Sequence, residues 1–466
     1  MSDAPAAEIP EEVAAAATTT STTAAPDAEE QKVDAVEEVT QSLEDILALG
    51  QGLDDEDYKA ELEVLQNDPN SNLYSAVTFE ELNLPEMLLK GVYAMKFSKP
   101  SKIQSVALPL ILANPPENLI GQAQSGSGKT ATFALGMLFR VDVGLRAPQA
   151  LCVGPTRELV RQIMAVVNAM GKFIGVQTFL AIPGEDLAKG EQVQAQVVVG
   201  TPGRVESLIK KKQLDTRHIK IFVLDEADVM VAEDGMRDRS VAIKKMIKHP
   251  GCQFLLFSAT YADEVREFAQ RMVPDHNIIT VKKEKLTLDG IKQFWIDCGA
   301  KDNKAKVLSD IFAVLTVGKC VIFVQSRDTC KELTRRMRAS GHSVGILHGA
   351  DMAREVRDQV IDEFRSGTTT VLITTNVLAR GIDVAGVSLV VNYDIPLTRD
   401  HQADPETYLH RIGRTGRFGR KGCAINFVHD DRSKKHLAEI EAYYAREIVQ
   451  APADDIEQLE KLLAWD

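Results

Sequence analysis

From about residue 100 onward, short apolar blocks alternate with longer stretches in which apolar and polar positions recur at helical spacing. Asn118–Ala123, Gln149–Val153, Ala195–Gly200, Ile219–Asp225 and Gln253–Ser258 read as buried strands, with helices over Lys129–Phe139 and Glu158–Met170 between them. A second series, Lys319–Gln325, Ser343–His348, Thr370–Thr375, Ser388–Tyr393 and Ala424–His429, repeats the rhythm. Apolar strands separated by helices pair in parallel through right-handed crossovers, so the pattern predicts two α/β domains. Val281–Gly290 (VKKEKLTLDG), charged and short, lies between the series as a hinge. Two such domains make a cleft, and sheets of this kind bind ligands at the carboxyl ends of their strands.

The first residues break this pattern. Val13 to Pro26 is rich in Ala and Thr, and no aromatic residue precedes Tyr58, so residues 1 to about 40 are expected to be disordered. Within the same extension, Ser42-Leu-Glu-Asp-Ile-Leu-Ala-Leu-Gly50 reads as a capped helix with Ser42 at its start and an apolar side of Leu43, Ile46, Leu47 and Leu49. It is either a transient helix in a solvated tail or an acidic element that lodges between the domains and holds them open.

Composition adds a paradox and charge distribution resolves it. The 466 residues, 44% hydrophobic and 26% charged, suffice for about three domains or two larger ones with a tail. A net charge of −13 argues against a polyanion as partner. Residues 1–78, however, hold 19 acids against two bases, Lys32 and Lys59, which leaves +4 for the rest of the chain. The acidic start does not fit a secretory leader, and no apolar run approaches the ~18 residues of a membrane span. Six cysteines without a C-x-x-C pair indicate reduced thiols rather than a zinc site or a disulfide framework.

Three motifs carry chemistry. Ala123-Gln-Ser-Gly-Ser-Gly-Lys-Thr130 follows a predicted strand and opens a predicted helix. Gly126 and Gly128 let backbone N–H groups curl around phosphates, Lys129 reaches the terminal ones, and Thr130 offers a hydroxyl to Mg²⁺. Ala123 stands where the strict phosphate-loop pattern asks for glycine. Ile221-Phe-Val-Leu-Asp-Glu-Ala-Asp228 delivers carboxylates at a strand end, where Asp225 suits a metal and Glu226 an attacking water; an acidic helix cap is the plainer alternative. His410-Arg-Ile-Gly-Arg-Thr-Gly-Arg-Phe-Gly-Arg420 sets four arginines at every third position, in the second series. Arg414 and Arg417 suit the charge that develops on a transferring phosphoryl group, whereas Arg420 can equally belong to a basic RNA-contacting loop. Fingers from the other domain make hydrolysis depend on closure.

With these motifs in order from Phe79 onward, the sequence resembles the DEAD-box RNA helicases of superfamily 2. The resemblance implies two tandem RecA-like domains with parallel sheets, an α/β fold, preceded here by the acidic extension. Its implied boundaries are 1–78, 79–280, a linker 281–290 and 291–466. It implies ATP with Mg²⁺, held by Thr130, Asp225 and Glu226. Phe97-Ser-Lys-Pro-Ser-Lys-Ile-Gln104 is similar to the adenine-reading Q motif, with Phe97 stacking on the base and Gln104 bonding its edge. AQSGSGKT is similar to motif I and implies phosphate contacts from Ser125, Gly126, Ser127, Gly128, Lys129 and Thr130. Pro155-Thr-Arg-Glu-Leu159 and Thr201-Pro-Gly-Arg204 resemble motifs Ia and Ib, implying RNA contacts from Pro155, Arg157, Thr201, Gly203 and Arg204. Asp228, Ser258-Ala-Thr260 and His410 take the family's coupling roles.

In the second half, Val321-Ile-Phe-Val-Gln-Ser-Arg327 resembles motif IV, and Gln359 to Arg365 falls where the family has a further RNA element, which implies RNA contacts from Arg327 and Arg365. Thr374-Thr-Asn-Val-Leu-Ala-Arg-Gly-Ile-Asp383 resembles motif V, implying RNA contacts from Thr375 and Arg380 and nucleotide contacts from Gly381 and Asp383. The arginine run resembles motif VI, which assigns the finger roles to Arg414 and Arg417. Three positions depart from the usual pattern: Asn376 stands for Asp, Pro183-Gly-Glu185 for a paired-glycine RNA element, and Lys96 for Gly.

The stretch Leu65-Gln-Asn-Asp-Pro-Asn-Ser-Asn-Leu-Tyr74, with MKFSKPSKIQ and TTNVLARGID, is most similar to the branch of the family that drives mRNA export at the cytoplasmic face of the nuclear pore. That likeness implies a cytoplasmic-side nucleoporin and an export activator tethered by inositol hexakisphosphate as partners. It places the chain in cytoplasm and nucleus, enriched at the pore. A monomer is expected. A +4 core suits a short grip on single-stranded RNA or mRNP through phosphates rather than base reading. An RNA-dependent ATPase is the favoured reading, an ATP-dependent RNA clamp with partner-controlled turnover the alternative, and a DNA translocase the third.

Overall fold

The structure, a computed structural model, describes residues 62–65, 75–123, 126–185, 187–188, 190–232, 235–281, 290–314, 318–348, 352–376, 386–398, 400–416 and 422–452. Residues 1–61, which contain the candidate helix at 42–50, and linker residues 282–289 lie outside the described residues.

The first half builds one sheet from β1 (Leu62–Leu65), β2 (Asn118–Gln122), β3 (Ala150–Val153), β4 (Thr178–Ala181), β5 (Val197–Gly200), β6 (Ile221–Leu224), β7 (Gln253–Ser258) and β8 (His276–Val281). Among the described residues its order is β1-β8-β2-β7-β6-β3-β5-β4, parallel throughout except for the antiparallel β1–β8 pair. The second half adds β9 (Ile291–Asp297), β10 (Lys319–Phe323), β11 (Val344–Leu347), β12 (Val371–Thr374), β13 (Val387–Asn392), β14 (Gly422–Val428) and β15 (Val449–Gln450). They form a fully parallel sheet in the order β11-β12-β10-β13-β14-β9-β15. Two tandem RecA-like α/β domains result, as expected.

Both faces of the first sheet are covered, which is why its central strands are apolar at every position. Ala150, Cys152, Ile221 and Val223 enter one core cluster, and their alternating neighbours Leu151, Val153, Phe222 and Leu224 enter the cluster on the opposite face. All ten strands expected from apolar blocks form within about two residues of the expected bounds. The strands without such a block are edge or partly polar ones. β4 (TFLA) is half-buried at the sheet edge, and β9 (IKQFWID) alternates in burial and carries the buried polar Gln293. All six cysteines are free and buried. Among the described residues no helix is long and apolar enough to cross a membrane.

Strand order places the chemistry. β7 lies between β2 and β6, so the loops leaving these three neighbours carry the glycine-rich loop, Ser258–Thr260 and Asp225–Asp228 side by side. Pro155–Leu159 and Thr201–Arg204 leave β3 and β5 at the same edge. In the second sheet Gln325–Arg327 follows β10 and Thr375–Asn376 follows β12.

Candidate functional site

The glycine-rich loop bends back into the helix Lys129–Arg140. Gly126 and Gly128 adopt φ of +83° and +99°, a region that favours glycine. A Cβ on Gly128 would meet Gln104 Nε2 at 2.8 Å. Gln104 is engaged with the loop: its Oε1 accepts from Ser101 N at 2.9 Å, closing a capping box on the helix Lys102–Leu112, and its Nε2 donates to Gly128 O at 3.3 Å. Ser101 Oγ donates to Ser127 O at 2.9 Å. Phe97 is buried in the core cluster above the sheet. Lys96, one of the departures from the resemblance, takes a left-handed φ of +60°. Lys129 is buried, with Nζ donating to Ala123 O, and Thr130 follows it in the first helical turn, half-buried. The loop residue Ser125 lies outside the described residues.

At the end of β6 three acids sit in the interior. Asp225, Glu226 and Asp228 are all buried. Burial and then the Glu226 charge push the Asp225 carboxyl up to about 7, against the opposing pull of Lys129. Glu226 holds a left-handed φ of +54°, a strained position for a non-glycine residue, and its Oε2 is buried without a hydrogen-bond partner. Two neighbouring carboxylates with one lysine are short of positive charge. A hard divalent cation such as Mg²⁺ fits this all-oxygen donor set, with Thr130, Asp225 and Glu226 available to hold it.

Asp228 reaches the other sheet. Its Oδ2 accepts from Thr260 Oγ1 at 3.0 Å and lies 2.7 Å from His410 Nε2, with both Asp228 and His410 side chains buried. Ser258 Oγ accepts from Asp228 N at 3.3 Å. His410 lies on the helix Pro405–Ile412, and one turn on, the buried Arg414 donates from Nε to His410 O at 3.0 Å. Arg417, Gly381 and Asp383 lie outside the described residues.

The expected RNA residues cluster at strand ends, where helix starts direct backbone N–H groups outward. Arg157 and Arg204 begin or enter the first turns of the helices Arg157–Met170, capped by the Thr156 side chain, and Pro202–Lys210, which starts after Thr201. Pro155 is buried just before the first of these, and Gly203 packs tightly under Arg239. Arg204 Nη2 donates to Glu185 O at 2.5 Å, which ties it to the Pro183–Glu185 segment. Arg327 is exposed at the start of the helix Arg327–Ala339, and Thr375 is buried after β12. Arg380 lies outside the described residues.

Arg365 is not brought to this edge. It ends the helix Arg354–Ser366, where Lys319 Nζ at the start of β10 donates to its carbonyl at 2.5 Å, so it stands at the opposite end of the strands from Arg327. The start of that helix matters instead. Arg357 Nη2 lies 3.1 Å from Glu158 Oε1, and Asp358 Oδ2 lies 3.2 Å from Arg161 Nη1 and 3.6 Å from Arg157 Nη2. These crossed ion pairs join helices of the two domains beside the candidate RNA edge. Arg161, Arg357 and Asp358 are not singled out by charge or motif, because surface helices carry such residues routinely, and the motif that contains Glu158 does not reveal its partner.

Comparison with known proteins agrees with this layout. The DEAD/DEAH box helicase profile matches residues 101–268, and the helicase conserved C-terminal domain matches residues 303–419. The chain is 52% identical over 405 residues to the ATP-dependent RNA helicase dbp5 of Schizosaccharomyces pombe, covering 87% of this chain and 80% of that protein. The solved structure of S. cerevisiae Dbp5 bound to RNA and ADP BeF3 superposes with a TM-score of 0.79 at 49% identity, covering 83% of this chain and 99% of that one. A Dbp5 variant from S. cerevisiae bound to Nup159, Gle1, IP6 and ADP superposes at a TM-score of 0.63 and 47% identity, covering 82% of this chain and 99% of that one. With both helicase profiles matched and half of the residues identical over most of the chain, the chain belongs to the DEAD/DEAH box helicase family.

Proposed function

We propose that this protein is an RNA-dependent ATPase, an ATP-dependent RNA helicase of the DEAD-box type, that remodels mRNPs or short RNA duplexes without processive travel. One observation carries the reading: the buried hydrogen bond between His410 and Asp228 ties the arginine helix of one sheet to the acidic end of β6 in the other. Chemistry confined to a closed interface is chemistry that a ligand bridging both domains can switch on.

In this reading Phe97 and Gln104 select the adenine, and the loop Ser125, Gly126, Ser127 and Gly128 with Lys129 holds the phosphates. Glu226, buried with an uncommitted oxygen, orients the attacking water and takes its proton. Arg414 and Arg417 face the charge that builds on the departing phosphoryl group, and Gly381 and Asp383 add nucleotide contacts from the second domain. Mg²⁺, when held by Thr130, Asp225 and Glu226, neutralises phosphate charge. Pro155, Arg157, Thr201, Gly203, Arg204, Arg327, Thr375 and Arg380 grip RNA phosphates from both domains, so RNA favours the closed form that hydrolyses ATP. Asp228, Ser258, Thr260 and His410 transmit one site to the other.

The biological setting is proposed from the relatives. S. cerevisiae Dbp5 is described bound to RNA, to Nup159 and to Gle1 with IP6. For this chain we infer mRNA export at the cytoplasmic face of the nuclear pore, with a nucleoporin and an inositol-hexakisphosphate-tethered activator as partners. ATP turnover measured with and without single-stranded RNA or single-stranded DNA tests the core of the reading. RNA should stimulate strongly and DNA should not; stimulation by DNA, or RNA retention without turnover, overturns it.

A further inference from the structure

The carboxyl end of β13 carries no role in the motif reading, yet it touches three motifs. Asp394 Oδ2 accepts from Gln325 N at 2.8 Å, and Asp394 N donates to Phe323 O at 3.2 Å. Gln325 stands two residues before Arg327, the candidate RNA contact. Asp394 Oδ1 accepts from Lys304 Nζ at 3.0 Å, and the same ammonium donates to Tyr393 O at 2.8 Å. The Lys304 side chain is only 2% exposed, an unusual depth for a lysine on the first turn of a helix.

On its other side the segment meets Arg411, which is fully buried between His410 and Arg414. Its Nη1 donates to Asp394 O at 2.7 Å and to Asn392 Oδ1 at 3.0 Å. Its Nε donates to Asn376 Oδ1 at 3.1 Å, and Nη2 bonds the same oxygen. The guanidinium lies over the Phe323 ring, 5.0 Å from its centroid. Neutral oxygens therefore take all of these bonds. Burial pushes the Arg411 pKa down to about 9, and the charge of Asp394 is the largest influence opposing it. Asp394 thus serves two buried cations, pairing with Lys304 and, together with Asp404, favouring the charge on Arg411. That carboxylate also fixes the backbone entering Arg327, and through Arg411 it reaches Asn376 at the start of motif V.

We propose that Asp394 is a positioning residue for RNA-stimulated turnover. Through Gln325 it sets the approach to Arg327, and through Arg411 it holds Asn376 and the helix carrying His410 in one geometry, so that the RNA-side loops and the arginine helix of the second domain move as one piece. Charge deep in a core is costly unless paired, and a hub of this kind tolerates only one arrangement. A purely structural ion pair would serve stability equally well without touching three motifs.

The proposal rests on the RNA-dependent ATPase reading, and the test separates the two. In the full chain, Asp394→Asn is compared with wild type by ATP turnover titrated against single-stranded poly(U) and, separately, against ATP, with melting temperature recorded. The expected result is a rise of about tenfold in the RNA concentration for half-maximal stimulation, with KM for ATP changed less than about twofold, because Asp394 bonds Gln325, Lys304 and Arg411 and none of the residues assigned to the nucleotide. Lys304→Met, which leaves the Gln325 contact in place, should shift RNA half-saturation in the same direction by less. Should Asp394→Asn fail to fold, Asn376→Ala, which removes the two Arg411 bonds to Asn376 Oδ1, carries the same measurement and expectation. Unchanged RNA half-saturation in a folded variant, or RNA half-saturation, ATP KM and melting temperature all shifting in parallel, overturns the positioning role. A wild-type protein with no RNA stimulation overturns the underlying reading instead.

Discussion

Asp228 Oδ2 accepts at once from Thr260 Oγ1 in its own domain and lies 2.7 Å from His410 Nε2 in the other. A single buried oxygen thereby senses both the β7 end and the arginine helix. His410→Ala removes the cross-domain partner of that buried oxygen. RNA-stimulated turnover should fall about ten- to a hundredfold, about 1.4–2.7 kcal/mol of barrier, while ATP KM shifts little. Steady-state kinetics over ATP and RNA concentration checks this, and an equal loss in the RNA-free rate would mean that the contact serves folding rather than coupling.

Glu226 Oε2 is buried without a hydrogen-bond partner, and a strained left-handed backbone holds the residue there. Glu226→Gln preserves shape and loses the base. Turnover should drop by a factor of about 10²–10⁴, the usual contribution of a general base. ATP-dependent RNA retention should persist. Single-turnover hydrolysis together with filter binding separates these, and near-wild-type hydrolysis would remove Glu226 from the base role.

The phosphate loop, the acids after β6 and Ser258–Thr260 were legible in the sequence because each is a short local pattern and parallel topology then stacks their strand ends. Contacts set by helix phase were not. Glu158 and Arg357 are separated by 199 positions, and nothing local pairs the acid within Pro155–Leu159 with a helix of the other domain. Arg365 illustrates the converse: it lies two turns farther along the helix than Arg357, which swings it to the opposite end of the sheet from the expected RNA edge. Lys304 escapes for a third reason, since a lysine in a helical pattern reads as exposed and this one is buried.

The crossed pairs of Glu158, Arg357, Arg161 and Asp358 should hold the domains together in a salt-sensitive way. Glu158 is 8% exposed and Arg357 23%, so Arg357→Met leaves a nearly buried acid unpaired. For partly exposed pairs a contribution of about 0.5–1 kcal/mol is reasonable after screening. RNA affinity in the presence of a non-hydrolysable ATP analogue should weaken roughly two- to fivefold, and the difference from wild type should shrink as ionic strength rises. An affinity gap that persists undiminished at high salt would point to lost packing instead of lost charge.

The thiols offer a test of the core that is independent of activity. Burial pushes Cys252 and Cys423 up to about 12, and Cys298 and Cys330 up to about 11. Only the thiolate reacts readily with aromatic disulfides, so at pH 8 the native protein should resist labelling, whereas in urea all six cysteines should react. The sign of the linkage follows from the raised values. Below about pH 8.5, the ordinary thiol pKa, folded and unfolded chains are both protonated and these groups cost nothing. Above it the unfolded chain releases protons that the folded one keeps, so their contribution to stability is lost progressively between about pH 8.5 and 12. Urea midpoints at pH 8 and pH 10 should fall in that order, and rapid labelling of any one thiol at pH 8 would locate a region that opens without global unfolding.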